Sequence, residues 1–99
     1  MNLNIRWKSI DKSESIKNYL KEKLLKIFEF QFVEDNIKVE FVHYTKEHEY
    51  KTRLSLKIHA SNSIHSEASN KNILTSINMS INKIIHQLRH IKTKYNMNK

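Results

Sequence analysis

The chain has 99 residues, 38% of them hydrophobic, and carries 18 Lys and Arg against 10 Asp and Glu, a formal charge of +8 at pH 7. That length supports one core, and its apolar content, arranged with regular period, excludes the disordered class. The charge favours polyanionic partners, nucleic acid ahead of acidic membrane, while the lack of Cys removes disulfides and thiolate chemistry.

In "NLNIRW" Leu3, Ile5 and Trp7 alternate with Asn2, Asn4 and Arg6, which predicts a first strand buried on one face, with Trp7 a core residue rather than a stacking platform. Ser13 offers a helix-capping hydroxyl and Glu14 an anion for the positive helix end. Ile16, Tyr19, Leu20, Leu24 and Ile27 follow at helical spacing. This helix is expected to run to Phe28 or Phe30, with "EFQFVEDN" leading into a loop. Tyr19, Lys23 and Lys26 form one flank of its apolar stripe and Lys17 and Lys21 the other. Glu22 and Lys26 are spaced for an intrahelical ion pair.

Alternation returns in "NIKVEFVHY", where Ile37, Val39, Phe41 and His43 share one side, and again around Thr52, Leu54, Leu56 and Ile58. "TKEHE" between them has the size of a hairpin loop. Ile64, Ser66 and Ala68 make a short fourth strand after "ASNS", with His59 and His65 facing each other across that turn. "SNKN" then starts a final helix whose apolar stripe is Ile73, Ile77, Ile81, Ile84, Ile85, Leu88, Ile91 and Tyr95.

The predicted fold is therefore an α+β two-layer βαβββα sandwich: a four-stranded mixed sheet with two helices packed on one face. The other sheet face is wet and carries Arg6, Lys8, Lys38, Arg53 and Lys57. One domain spans 1–95, and 96–99 is a short basic tail. The first residues lack the apolar core of a secretory signal, and no window is long and apolar enough to span a membrane, so the cytoplasm is the expected compartment.

From Ala68 to Lys99 there is no Asp or Glu. An A·T-biased genome would enrich Asn, Lys and Ile, but codon bias does not explain where the acids are missing. At about 100° per residue, Lys83, His86, His90 and Lys94 fall within about 80° of arc, nearly opposite the aliphatic stripe, with Asn72, Ser76 and Met79 extending the line. Arg89 lies to one side, within reach of the same phosphates. Such a stripe suits a nucleic-acid backbone, each neutralised phosphate releasing condensed counterions. The bland alternative is a solvated helix face, but such faces usually mix charge signs.

His86 and His90, one turn apart, could also chelate a metal, yet no Cys exists and no acid lies nearby in sequence, so no metal site is expected. Facing RNA, either imidazole can hydrogen-bond a phosphate or stack. Gly is absent, which excludes phosphate-cradling loops, dinucleotide fingerprints and nucleophile elbows, because each needs a backbone position that a Cβ would block. Turns fall to Asn, Asp, Ser and Lys. No carboxylate pair, Ser/His/Asp set or activated nucleophile is present, so neither enzymatic activity, a cofactor nor a small-molecule substrate is expected.

The opening "NLNIRWKSIDKSESIKNYLKEKL" and the closing "IHSEASNKNILTSINMSINKIIHQLRHIKTK" resemble the ribosome hibernation-promoting factors, also called ribosome-associated inhibitors. That family typically shows an Ile-His-Ala strand, an Asp-Met-Tyr-Ala-Ala-Ile-Asp helix start, then Asp-Lys-Leu and Arg-Gln-Leu. The chain has Ile64-His65, the run Asn72 to Asn78, Asn82-Lys83-Ile84 and His86-Gln87-Leu88 at those places. The resemblance covers nearly the whole chain, implies the same βαβββα fold, and matches the short members that lack a dimerising C-terminal domain.

It further implies a cytoplasmic, non-enzymatic protein that binds ribosomal RNA of the small subunit in the channel for messenger and transfer RNA. There it would inhibit translation on intact ribosomes during stress or stationary phase. Lys23 and Lys26 on the first helix and Lys83, His86 and His90 on the second take the family's RNA-binding places. With Arg89 and Lys94 from the helix stripe they make the expected contact set. His86 and His90 stand where the family commonly has Arg or Lys, Glu29 where a further base is common, and Asn72, Asn78 and Asn82 where acids are typical. The alternative reading is a general double-stranded-RNA-binding or RNA-chaperone module, since the βββα end resembles that architecture too.

Overall fold

A computed structural model describes residues 2–59 and 62–97, with side chains as far as Lys92. Its elements are β1 (Asn2–Lys8), α1 (Glu14–Leu24), a 3-10 turn (Ile27–Glu29), β2 (Val33–Tyr44), β3 (Glu49–Ile58), β4 (Ser63–Asn70) and α2 (Ile73–Met97). The strands lie in the order β1-β2-β3-β4. β1 runs parallel to β2, and the other two pairs are antiparallel. A connection containing α1 is what a parallel pair requires, and short turns suffice for the rest.

Both helices cover the same sheet face. Leu20 and Leu24 of α1, Ile37, Val39 and Phe41 of β2, Leu54 and Leu56 of β3, and Ile77, Ile84 and Leu88 of α2 share one buried cluster. Trp7 packs against Phe41, ring centroids 4.9 Å apart, as a core residue; its indole Nε1 is buried without a hydrogen-bond partner among the described residues. Ser13 caps α1 as its sequence suggests, its Oγ accepting from the Ile16 N–H.

The sequence overextended α1. The helix stops at Leu24, and Ile27 reaches the core from the 3-10 turn instead. Beyond the turn, in "FEFQF", the apolar period changes from helical to two, and the backbone becomes extended at Phe30. Lys26 is thereby carried past the end of α1, and among the described residues no Glu22–Lys26 ion pair forms. β2 begins at Val33, inside the segment expected to be loop, with a register irregularity between Val33 and Ile37.

Three other expectations change. His65 lies opposite Ser55 rather than His59. Among the described residues, left-handed backbone falls on Ser9 and His48, with φ of 59° and 53°; His48 is not one of the residue types expected to make the turns. Ser76, expected on the exposed line of α2, is fully buried. Its arc faces the inner side of β3 and β4, where its hydroxyl donates to the Ile73 carbonyl, 2.7 Å, and bonds the Thr52 hydroxyl, 2.7 Å. Ser80, one turn on, bonds Ser66 in the same way, 2.8 Å. Two hydroxyl pairs thus fasten α2 to the outer half of the sheet.

Candidate RNA-binding surface

At 25 residues α2 is about 37 Å long, and its sides have different neighbours. Ile77, Ile81, Ile84 and Leu88 face the core. Lys83, His86, Arg89 and His90 are all exposed, as the spacing predicts. Lys94 lies outside the residues whose side chains are described.

The exposed cations divide between two concavities. Lys83 and His86 stand at the rim of a groove of about 1140 Å³ that runs onto the outer sheet face. Arg89 and Lys92 line a cleft of about 430 Å³ with Lys26, Glu29 and Phe30 of the 3-10 turn and Ile85. The Lys92 ammonium sits 6.0 Å from the centre of the Phe30 ring. Lys26 and Arg89, from distant parts of the sequence, therefore share one site. His90 lines neither of them, and by helical angle it lies on the same side of α2 as Lys83 and His86.

Lys23 is half-buried, its ammonium 5.3 Å from the centre of the Tyr19 ring. The Tyr19 hydroxyl accepts from the Asn78 amide nitrogen at 2.6 Å, which ties α1 to α2. Lys23 is thus linked to α2 through Tyr19. Lys92 was missed because at helical spacing it lies beside the aliphatic stripe and away from the basic one. The signal that could have found it is the aromatic run of "FEFQF" needing a neighbour.

Lys83 has a second role that spacing could not show. Its ammonium donates to the Glu67 carbonyl at 2.8 Å, and the Gln87 amide donates to the His65 carbonyl at 3.0 Å. β4 is an outer strand, so these side chains occupy carbonyls on a sheet margin and hold α2 against it.

The outer sheet face is less uniformly basic than its cations suggest. Arg6, Glu40, Arg53 and Glu67 are successive cross-strand partners, a row of alternating charge spanning all four strands. Arg53 contacts Glu67 at 2.9 Å and Glu40 at 3.1 Å, while Arg6 is 3.8 Å from Glu40. The hydrogen bond to Glu67 raises the Arg53 pKa further above its ordinary value. In return Arg53, then Lys51, hold the Glu67 carboxyl below the ordinary carboxylate range. Val42, on the same outer side, is nevertheless buried, with Lys8 and Lys51 as its partners in neighbouring strands.

Among the described residues, no group of three His, Cys, Asp or Glu is placed to hold a metal ion, His86 and His90 included. None of the described helices is long and apolar enough to cross a membrane. What the surface offers chemically is fixed cations beside polar donors, suited to binding phosphates.

Element order and surface together define an α+β fold that displays one acid-free basic helix. Residues 3–96 match the family described as Sigma 54 modulation protein / S30EA ribosomal protein. The chain belongs to that family, and its sequence resemblance to ribosome-associated inhibitors is borne out. A ribosomal subunit interface protein from Coxiella burnetii superposes with a TM-score of 0.81 at 15% identity, covering 94% of this chain and 99% of that one. The N-terminal domain of Protein Y from Thermus thermophilus superposes with a TM-score of 0.80 at 15% identity, covering 92% and 99%. At that identity the two structures speak for the fold. Comparison with curated protein sequences gives no match.

Proposed function

We propose that this chain binds the small ribosomal subunit through ribosomal RNA in the channel used by messenger and transfer RNA. By occupying that channel it inhibits translation and keeps intact ribosomes inactive during stress or stationary phase, in the cytoplasm and without catalysis or cofactor. The observation that carries the reading is the acid-free α2 of a chain in this family, with Lys83, His86, Arg89 and His90 exposed on the side away from the core. Cations supply affinity, and the shape of an RNA channel supplies selectivity, so no base-edge code is required.

The test is binding of purified chain to small subunits, with messenger RNA and initiator transfer RNA as competitors. Mutual exclusion is the expected result; simultaneous binding would contradict the channel. Arg89→Glu is expected to weaken binding roughly tenfold or more at moderate salt, beyond any loss of thermal stability, because it replaces an attractive phosphate contact with a repulsive one. Lys83→Glu is expected to weaken it too, with some loss of stability from the freed Glu67 carbonyl. The alternative of a general double-stranded-RNA binder or chaperone predicts comparable affinity for free duplex RNA and absence from ribosomal fractions in sedimented lysate.

A further inference from the structure

The outer face of the sheet has no role in the reading above. Its strand register sets the outward side chains in rows across the strands. Beside the ion-paired row lies a second one: Asn4, Lys38, Ser55 and His65, successive partners from β1 to β4. Every member can donate a hydrogen bond and none is an acid. At about 4.8 Å between strands the row is about 14 Å wide. The groove of about 1140 Å³ that has Lys83 and His86 on its rim is floored by these two rows. A shallower hollow of about 610 Å³ shares Asn4, Lys38 and Ser55 with it and adds the exposed Lys57.

The two rows differ in how their charges are paired. In the neighbouring row Glu40 and Glu67 are both engaged by Arg53. Lys38 and Lys57 have no ion pair among the described residues and are exposed. Among the described residues they are therefore unpaired cations on the donor row and its hollow, where Glu34 is the acid in the lining; Lys8 and Lys51, beside Val42, carry further positive charge on the far side of the ion-paired row. The groove also joins the basic edge of α2 around the margin of β4.

We propose that this face is a second polyanion track, holding one RNA strand by its phosphates along Lys38, Lys57 and the row Asn4, Ser55 and His65. No Phe, Tyr or Trp stands in the row, so the strand is held chiefly by its backbone, with the His65 imidazole the one side chain of the row that can also stack on a base. RNA is favoured over an acidic protein segment because the groove is continuous with the basic edge of α2, the surface read above as RNA-binding; the paired glutamates of the adjacent row oppose either polyanion alike. The proposal rests on the RNA-binding reading and extends it: RNA is contacted from both sides of the β4 margin, so the domain is clasped between RNA segments.

The probes are a short oligouridylate and small ribosomal subunits, used with the full chain and with Lys38→Gln/Lys57→Gln. Oligouridylate is expected to shift the amide resonances of Lys38, Ser55 and His65. The double variant should lose roughly tenfold in oligouridylate affinity, with the slope of log K against log salt shallower by about 1.4, at unchanged melting temperature. Shifts confined to α2, or unaltered affinity of the double variant for both probes, would overturn the track while leaving subunit binding intact. Shifts of these resonances by polyglutamate, and none by oligouridylate, would also overturn it. Failure of the unmodified chain to bind small subunits, with oligouridylate still shifting these resonances, would refute the ribosome reading and uphold the track.

Discussion

Thr52 and Ser76 show how a polar contact becomes obligatory once it is buried. Both are fully buried, and Ser76 already spends its proton on the Ile73 carbonyl, which leaves Thr52 as the donor to Ser76. Ser76→Ala strands the Thr52 hydroxyl and is expected to cost about 1–3 kcal/mol, whereas Thr52→Val with Ser76→Ala removes both partners and is expected to cost less than that single change. A double-mutant cycle in urea checks this, and a double variant less stable than Ser76→Ala would refute it. Nothing in the sequence marked this pair. Ser76 falls at a helical angle that reads as exposed, and only the position of α2 over β3 and β4 turns that angle inward.

Among the elements, strands and helix stripes were legible because each keeps one period over several residues. The end of α1 was not, because Ile27 continues the helical stripe past Leu24 and the period changes only at Phe28. Cross-strand rows were hidden for a different reason: they depend on register, and Arg53 meets Glu40 and Glu67 only once β2, β3 and β4 are aligned. That alignment has a measurable sign. The folded state lowers the Glu67 pKa, so the contribution of its contacts is present above the unfolded carboxylate value and is lost as pH falls through the folded one. By carboxyl NMR, Glu67 should titrate below an ordinary glutamate, and Arg53→Gln should move its midpoint upward. An unmoved midpoint would show that Arg53 does not hold it.

For the whole molecule, the absence of acids beyond Glu67 in the sequence was the informative signal, and it located the basic ridge without any structure. The convergence of Lys26 with Arg89 and Lys92 required the chain to fold. If these three and Lys83 each neutralise one phosphate, log K for subunit binding should fall with log salt with a slope of about −3. A slope near zero in a salt titration would remove the electrostatic basis of the interaction. The seal of Gln87 and Lys83 over β4 also governs self-association. With the His65 and Glu67 carbonyls of that border already occupied, a second copy finds two fewer acceptors there for extending the sheet than an uncovered edge would offer. Fibril growth, which needs two open borders per copy, is disfavoured accordingly.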